Sequence, residues 1–231
     1  MSVRARVLEG LRRHPALRHL SSRIVFWPLA RRQRFRLIWA LDLWGGGPWR
    51  SGQGSTLEAT HRLRTALPSA LAELGVRTLV DVPCGDFQWL SEVDLGEVRY
   101  VGVDIVPEIV THNRQRYGES ERRRFVVADA TSDPLPRGDA ILCRHLLPHL
   151  CFDDALRVLE QCHRNGARWF LSTTFPLVET NYDVVTGDFR AINLERPPFE
   201  LPSPARILDD SFHANPHCRL GVWDIRSPSD G

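Results

Sequence analysis

The sequence contains no lysine; all 30 of its basic residues are arginine. Such uniform usage reads as genome composition, so no single Arg is marked out merely by being Arg. Methionine occurs once. The five cysteines, at 84, 143, 151, 162 and 218, form no C-x-x-C pair and are odd in number. That argues against a disulfide framework and a structural zinc site, and free thiols fit a reducing cytoplasm. No long apolar run exists. The longest near the N-terminus, Ile24 to Ala30, is broken by Pro28 and is too short to span a bilayer. No apolar run follows the basic N-terminus, so no secretory signal is expected. There is no internal repeat, no low-complexity tract and no G-x-G-x-x-G.

What is present is one globular domain's worth of chain: 231 residues, 42% of them hydrophobic. Its net charge of +2 conceals an asymmetry. Residues 1–36 hold ten Arg against the single acid Glu9, a local charge of +9, and the rest carries −7. Residues 3–43 read as two or three short basic helices, interrupted near Pro15 and Pro28, with Gly45-Gly46-Gly47-Pro48 as a joint. Ser55-Thr56-Leu57-Glu58 has the form of a capping box and predicts a helix over 56–74 that ends at Gly75.

Strand–helix alternation then begins. Strands are expected near 77–82, 98–103, 124–128, 139–143 and 167–173, with helices near 87–93, 107–117 and 153–164. Pro107 suits a first helical turn, and Asp153 suits a cap. This order predicts a parallel sheet with helices on both faces. Two last strands near 205–209 and 219–225 are expected to form a hairpin, giving seven strands.

The most informative stretch is Leu79-Val80-Asp81-Val82-Pro83-Cys84-Gly85-Asp86-Phe87, followed by Tyr100-Val101-Gly102-Val103-Asp104. Each is an apolar strand closing in a carboxylate at a turn. The second acid lies about twenty residues beyond the first turn, the spacing of a nucleotide-type ligand laid across strand ends. Asp104 could accept both hydroxyls of a ribose, or simply cap the next helix. Gly85 lets a ligand approach the backbone. Without the dinucleotide glycines, a pyrophosphate is disfavoured at this turn, and so is a nicotinamide-dependent oxidoreductase.

These residues resemble the class I S-adenosylmethionine-dependent methyltransferases, in particular a bacterial subgroup with D-x-P-C-G-D-F-x-W at its first strand. Asp81, Cys84, Gly85, Asp86, Phe87 and Trp89 carry the match, while Pro83 and Phe87 stand where the wider class has glycines. The subgroup also has G-x-G-S-T-L-E (residues 52–58), T-T-F-P (173–176), D-x-V-T-G-D-x-R (183–190) and P-P-F (197–199). The resemblance implies an α/β, Rossmann-like, seven-stranded, mostly parallel sheet over residues 49–231, with residues 1–48 as a basic helical extension. It implies S-adenosylmethionine as cofactor. Asp81, Cys84, Gly85, Asp86, Trp89, Asp104, Ile105, Asp129, Ala130, Arg144, Ser55 and Thr56 are then its candidate contacts. Asp129 would take the adenine amino group, although Thr131, Ser132 and Asp133 could do the same work. The glycines before Ser55 and Thr56 could equally be a plain turn or an anion site.

For the acceptor, the resemblance places Thr174, Asn181, Asp183, Thr186, Asp188 and Arg190 in a substrate pocket, and this polar set suits a sugar or phosphorylated small molecule or glycan. His145 and His149, after the fourth strand, are the candidate general bases, although a lone His is more often a structural hydrogen-bonder. No metal is expected. The Arg-rich, aromatic N-terminus (Phe26, Trp27, Phe35, Trp39, Trp44) suits either a lid on the core or, through residues 1–43, a peripheral contact with the inner membrane face of the cytoplasm. Nucleic acid is the weaker partner. A non-catalytic cofactor binder, docked through that N-terminus, is the alternative function. These motifs say nothing of oligomeric state.

Overall fold

The structure, a computed structural model, describes residues 29–45 and 50–226. The expected helices before residue 29, Gly46-Gly47-Pro48 of the joint, and Phe26 and Trp27 lie outside the described residues. The elements in chain order are α1 (Arg31–Ala40), a 3-10 turn (Gln53–Ser55), α2 (His61–Glu73), β1 (Thr78–Asp81), α3 (Gln88–Ser91) and β2 (Arg99–Asp104). They continue with α4 (Pro107–Tyr117), β3 (Arg123–Val127), β4 (Ala140–Cys143), a 3-10 turn (Leu147–His149), α5 (Phe152–Asn165), β5 (Trp169–Thr174), β6 (Arg206–Asp209) and β7 (Arg219–Asp224).

The strands form one seven-stranded sheet in the order β3-β2-β1-β4-β5-β7-β6. The pairs among β1 to β5 are parallel, and β7 inserts antiparallel between β5 and β6. Successive strand residues point to opposite faces, so alternate positions build two cores. Leu79, Leu142, Leu171 and Val222 meet Leu63, Leu67 and Leu71 of α2 and Trp89 and Leu90 of α3. Val80, Ile141, Phe170 and Trp223 meet Ala155, Val158 and Cys162 of α5 on the other face. The order reverses between β1 and β4, and the carboxyl ends of strands on either side of such a reversal leave a crevice where ligands bind.

Two helix starts differ from expectation. α2 begins at His61, not at 56, because Ser55 Oγ donates to the Ser51 carbonyl (3.2 Å) and accepts no amide. Thr56 Oγ1 takes the Ala59 amide instead (3.2 Å), so the segment stays a run of turns. α5 is capped not by Asp153 but at Cys151, where residues far along the chain serve the free amides. Asp183 Oδ1 accepts from Phe152 N (2.8 Å) and Thr186 Oγ1 from Cys151 N (3.0 Å). The free amides at a helix start are thus satisfied by a distant loop.

Candidate active site

The turn after β1 is held from below and from the side. The Cys84 amide donates to the Val103 carbonyl (2.8 Å), and Asn113 Nδ2 of α4 donates to the Gly85 carbonyl (2.7 Å). Gly85 has φ +51, and a Cβ there would lie 2.6 Å from Ser51 Oγ, so only glycine fits. Phe87 adopts a left-handed backbone (φ 57) at some cost, which its ring offsets by packing on Tyr100 (4.6 Å), Tyr117 (5.1 Å) and Phe125 (5.2 Å). Asn113, fully buried, is a residue the sequence does not single out.

Asp81, Asp86 and Asp104 converge with Cys84, Gly85 and Ile105 on one cavity at these strand ends. Asp104 accepts the Val106 amide (2.9 Å) on one oxygen and the Gly85 amide (3.2 Å) on the other. Burial nevertheless pushes its carboxyl up to about 6. Asp81 accepts the Tyr100 hydroxyl (2.7 Å), and burial pushes it to about 7, against that bond and the nearby Arg144 charge. Asp86 is also raised by burial, and its Oδ2 is buried with no hydrogen-bond partner among the described residues. A buried unpaired acceptor is costly unless something donates to it. Cys84 is buried and its thiol is pushed well above its usual range, which makes it a packed wall and not a nucleophile.

After β4, Arg144 forks onto Asp210 (Nε to Oδ2 2.9 Å, Nη2 to Oδ1 2.8 Å), reaches the Gly54 carbonyl (2.8 Å) and lies over Trp89 (5.1 Å). Both charges are buried, so the bidentate pair fixes this corner. His145 follows with φ 54, its amide donating to Thr173 Oγ1 (2.9 Å). Burial and the Arg144 charge hold its imidazole well below the usual range, hence neutral, and Nε2 is buried without a hydrogen-bond partner. His149 Nδ1 lies 2.9 Å from the Asp188 carbonyl, so that nitrogen donates, and the ring stacks on Trp44 (4.3 Å). Both histidines and Trp89 line the cavity.

Phe35, Trp39 and Trp44 of the N-terminal segment roof the same cavity, together with Arg50, whose guanidinium stacks on Trp39 (5.3 Å). About 100 Å³ of free space remains beneath them, less than the few hundred Å³ of ordinary ligand pockets. Arg31 pins the roof by pairing with Asp129 (3.2 Å) and Asp154 (3.0 Å).

Several candidates fall elsewhere. Asp129 is occupied by Arg31 and by the amide and hydroxyl of Thr131 (3.0 and 2.7 Å), and it does not line the cavity. Ala130 packs in the α5-side core. Ser55 lines the cavity, whereas Thr56 faces a separate outer cleft. None of the six expected acceptor residues lines the cavity. Thr174 Oγ1 accepts the Leu194 amide (3.1 Å), and Asn181 braces residues 193 and 197 (2.9 and 2.8 Å). Asp183 and Thr186 cap α5, Asp188 Oδ1 accepts the Phe189 amide (2.9 Å), and Arg190 is fully buried under Phe152. The loop's polar groups satisfy its own backbone and α5. The site residues that sequence reasoning misses are Arg50, Asn113 and Asp210; the partners of the last two, Gly85 and Arg144, lie 28 and 66 residues away along the chain.

No helix among the described residues is long and apolar enough to cross a membrane. No curated protein sequence matches this chain. The fold has many solved counterparts. Human N-acetylserotonin methyltransferase in complex with SAM is 14% identical, over 84% of this chain and 56% of that one, with a TM-score of 0.56. PigF with SAH is 18% identical over 88% and 64%, with a TM-score of 0.57. The Burkholderia thailandensis 1,6-didemethyltoxoflavin-N1-methyltransferase, with bound 1,6-didemethyltoxoflavin and S-adenosylhomocysteine, is 20% identical over 84% and 90%, at 0.53. The chain spans a little over half the length of the first of these. Residues 79–166, the segment from β1 to the end of α5 that builds the acid-lined cavity, match the family described as "Methyltransferase domain", on a chain with the class I methyltransferase fold.

Proposed function

We propose that the chain is an S-adenosylmethionine-dependent methyltransferase acting on an oxygen of a small polar acceptor. One observation carries this reading. Three buried carboxylates surround the Gly85 turn, all with raised pKa, and Arg144 beside them is already committed to Asp210. Such a site wants a ligand that brings positive charge and hydroxyl donors. The cofactor's ammonium suits Asp81 and Asp86, its ribose diol suits Asp104, and its carboxylate suits Arg50.

When bound, S-adenosylmethionine would supply an electrophilic methyl on a sulfonium whose sulfur keeps the bonding pair, and an acceptor hydroxyl taking that methyl would have to give up its proton. The chain's residues align, enclose and exclude water. His149 is the better placed of the two histidines to receive that proton, since an imidazolium at His145 would be buried beside Arg144. Residues 29–45 act as a lid on the domain that follows, and the aromatic roof supports this role over membrane anchoring.

Calorimetry with S-adenosylmethionine, S-adenosylhomocysteine and NAD tests the reading. The first two should bind and NAD should not. Cofactor charge lowers the carboxyl of Asp81, which is near 7 in the free protein, so binding should release protons between pH 6 and 7.5. The heat should then scale with the ionisation enthalpy of the buffer. Absence of S-adenosylmethionine binding sinks the proposal.

The lid has its own signature. Arg31→Ala removes both pins, and should raise the cofactor's dissociation rate roughly fivefold, about 1 kcal/mol, with little change in fold stability. Stopped-flow fluorescence of the roof tryptophans reads that rate. An unchanged rate removes the lid role.

A further inference from the structure

A second, larger cleft opens beside the roofed cavity, between residues 53–62 and the loop joining β6 to β7, with about 840 Å³ of free space. We infer that this cleft is the acceptor site, and that it takes a neutral, hydroxylated ring such as a hexopyranoside. The inference rests on the methyltransferase reading.

Its place in the fold supports it. β6 runs parallel to β5, so the β6–β7 loop emerges at the carboxyl edge of the sheet, beyond β5 from the cavity at β1, β2 and β4. One stretch of chain divides the two spaces. Arg50, Ser51 and Ser55 face the roofed cavity, while Gln53 and Thr56 face the outer cleft. At Gly54 the partition carries no side chain, and a Cβ there would meet His145 Nε2 at 3.2 Å and Phe212 Cζ at 3.4 Å. That Nε2 is buried without a hydrogen-bond partner, 4.0 Å from Asp210 Oδ2, on a residue that also lines the roofed cavity. Phe212 stands edge-on to the same imidazole (centroids 6.1 Å apart), so this ring pair walls the two spaces apart, and Phe212 would have to turn aside for a hydroxyl to reach the methyl.

The lining sets the chemical class. Leu57, Phe212 and Pro216 give an apolar floor, and Gln53, Glu58 and His61 stand exposed around it. An aromatic floor receives the C–H face of a sugar ring, while amide, carboxylate and imidazole take its hydroxyls. A phosphate is disfavoured. The cleft's one Arg, Arg62, is engaged by Ser211 Oγ (2.5 Å) and Asp209 (3.4 Å), and Glu58 adds negative charge. Of the two acceptor kinds that the sequence suggests, a plain sugar and a phosphorylated one, the cleft favours the first.

The test uses the full chain saturated with S-adenosylhomocysteine, with methyl β-D-glucopyranoside as probe, read by saturation-transfer NMR. Glucose 6-phosphate and phenol serve as comparison probes. Signal is expected on the glycoside C–H protons. It should fall at least fivefold in Phe212→Ala, which removes the floor, and in Ala214→Trp, which fills the cleft from an exposed position. S-adenosylhomocysteine affinity should stay within twofold in both variants. Three results overturn the inference: glycoside signal unchanged in both variants, no glycoside signal at all, or stronger signal from glucose 6-phosphate or phenol. Each of these leaves cofactor binding intact and the methyltransferase reading standing. Failure of S-adenosylhomocysteine to bind the wild type is a different result, and sinks both.

Discussion

Replacing Asp104 by Ala should lower S-adenosylmethionine affinity by more than tenfold, about 1.5–3 kcal/mol, with the fold retained. The carboxylate ends β2 in the lining of the cavity, with one backbone amide on each oxygen, which leaves each oxygen capacity for a further donor such as a ribose hydroxyl. The same group gives the affinity a pH dependence whose sign can be worked out. Asp104 is raised to about 6 and Asp81 to about 7 in the free protein, above their unfolded value of 3.8. Each therefore contributes stability that is complete below 3.8 and is lost as pH rises through its folded value. The free protein should lose stability from these two acids between pH 4 and about 7. Ligand binding runs the other way, since a cationic ligand with hydroxyl donors prefers both ionised. The rise in Tm caused by S-adenosylmethionine should be small at pH 5 and large at pH 8, and Asp104→Ala should flatten the lower half of that trend. A thermal shift independent of pH, or an unchanged affinity in calorimetry, removes Asp104 from the ribose.

Much of the fold is legible along the chain because its signals are local. Strands such as Thr78–Asp81 and Val101–Asp104 are short apolar runs ending in an acid, and α4 begins at Pro107 where a proline is at home. The cavity's floor is local too, since Asp81, Gly85 and Asp86 occupy one turn. What sequence does not disclose is pairing at a distance. Arg144 and Asp210 are 66 residues apart, Arg31 and Asp154 are 123 apart, and nothing in either neighbourhood announces its partner. Ser55 shows the opposite error. Its spacing to Glu58 is that of a capping box, yet the hydroxyl turns back to Ser51, and the helix waits until His61.

The polar loop after β5 is the most instructive case, because its composition is the same whether its partners are a ligand or the protein itself. Arg190 separates the two. Its guanidinium is fully buried, donates to the Leu150 carbonyl, lies over Phe152 (4.7 Å) and leaves Nε and Nη2 without hydrogen bonds. Burial holds its pKa below the ordinary value, against the opposing charge of Asp183. Arg190→Ala should destabilise the fold by about 2–4 kcal/mol, chiefly through the cavity it leaves. Arg190→Met keeps most of the volume and removes a poorly compensated buried charge, so it should fold with stability within about 1.5 kcal/mol of wild type. Both variants should bind S-adenosylmethionine normally once folded, and the Met variant should keep its acceptor turnover. Denaturant unfolding measures the first effect and calorimetry the second. A stable Met variant that binds cofactor but has lost turnover would return Arg190 to the acceptor pocket. Retained turnover leaves it as packing beneath the loop, and the acceptor to the cleft on the other side of Gly54.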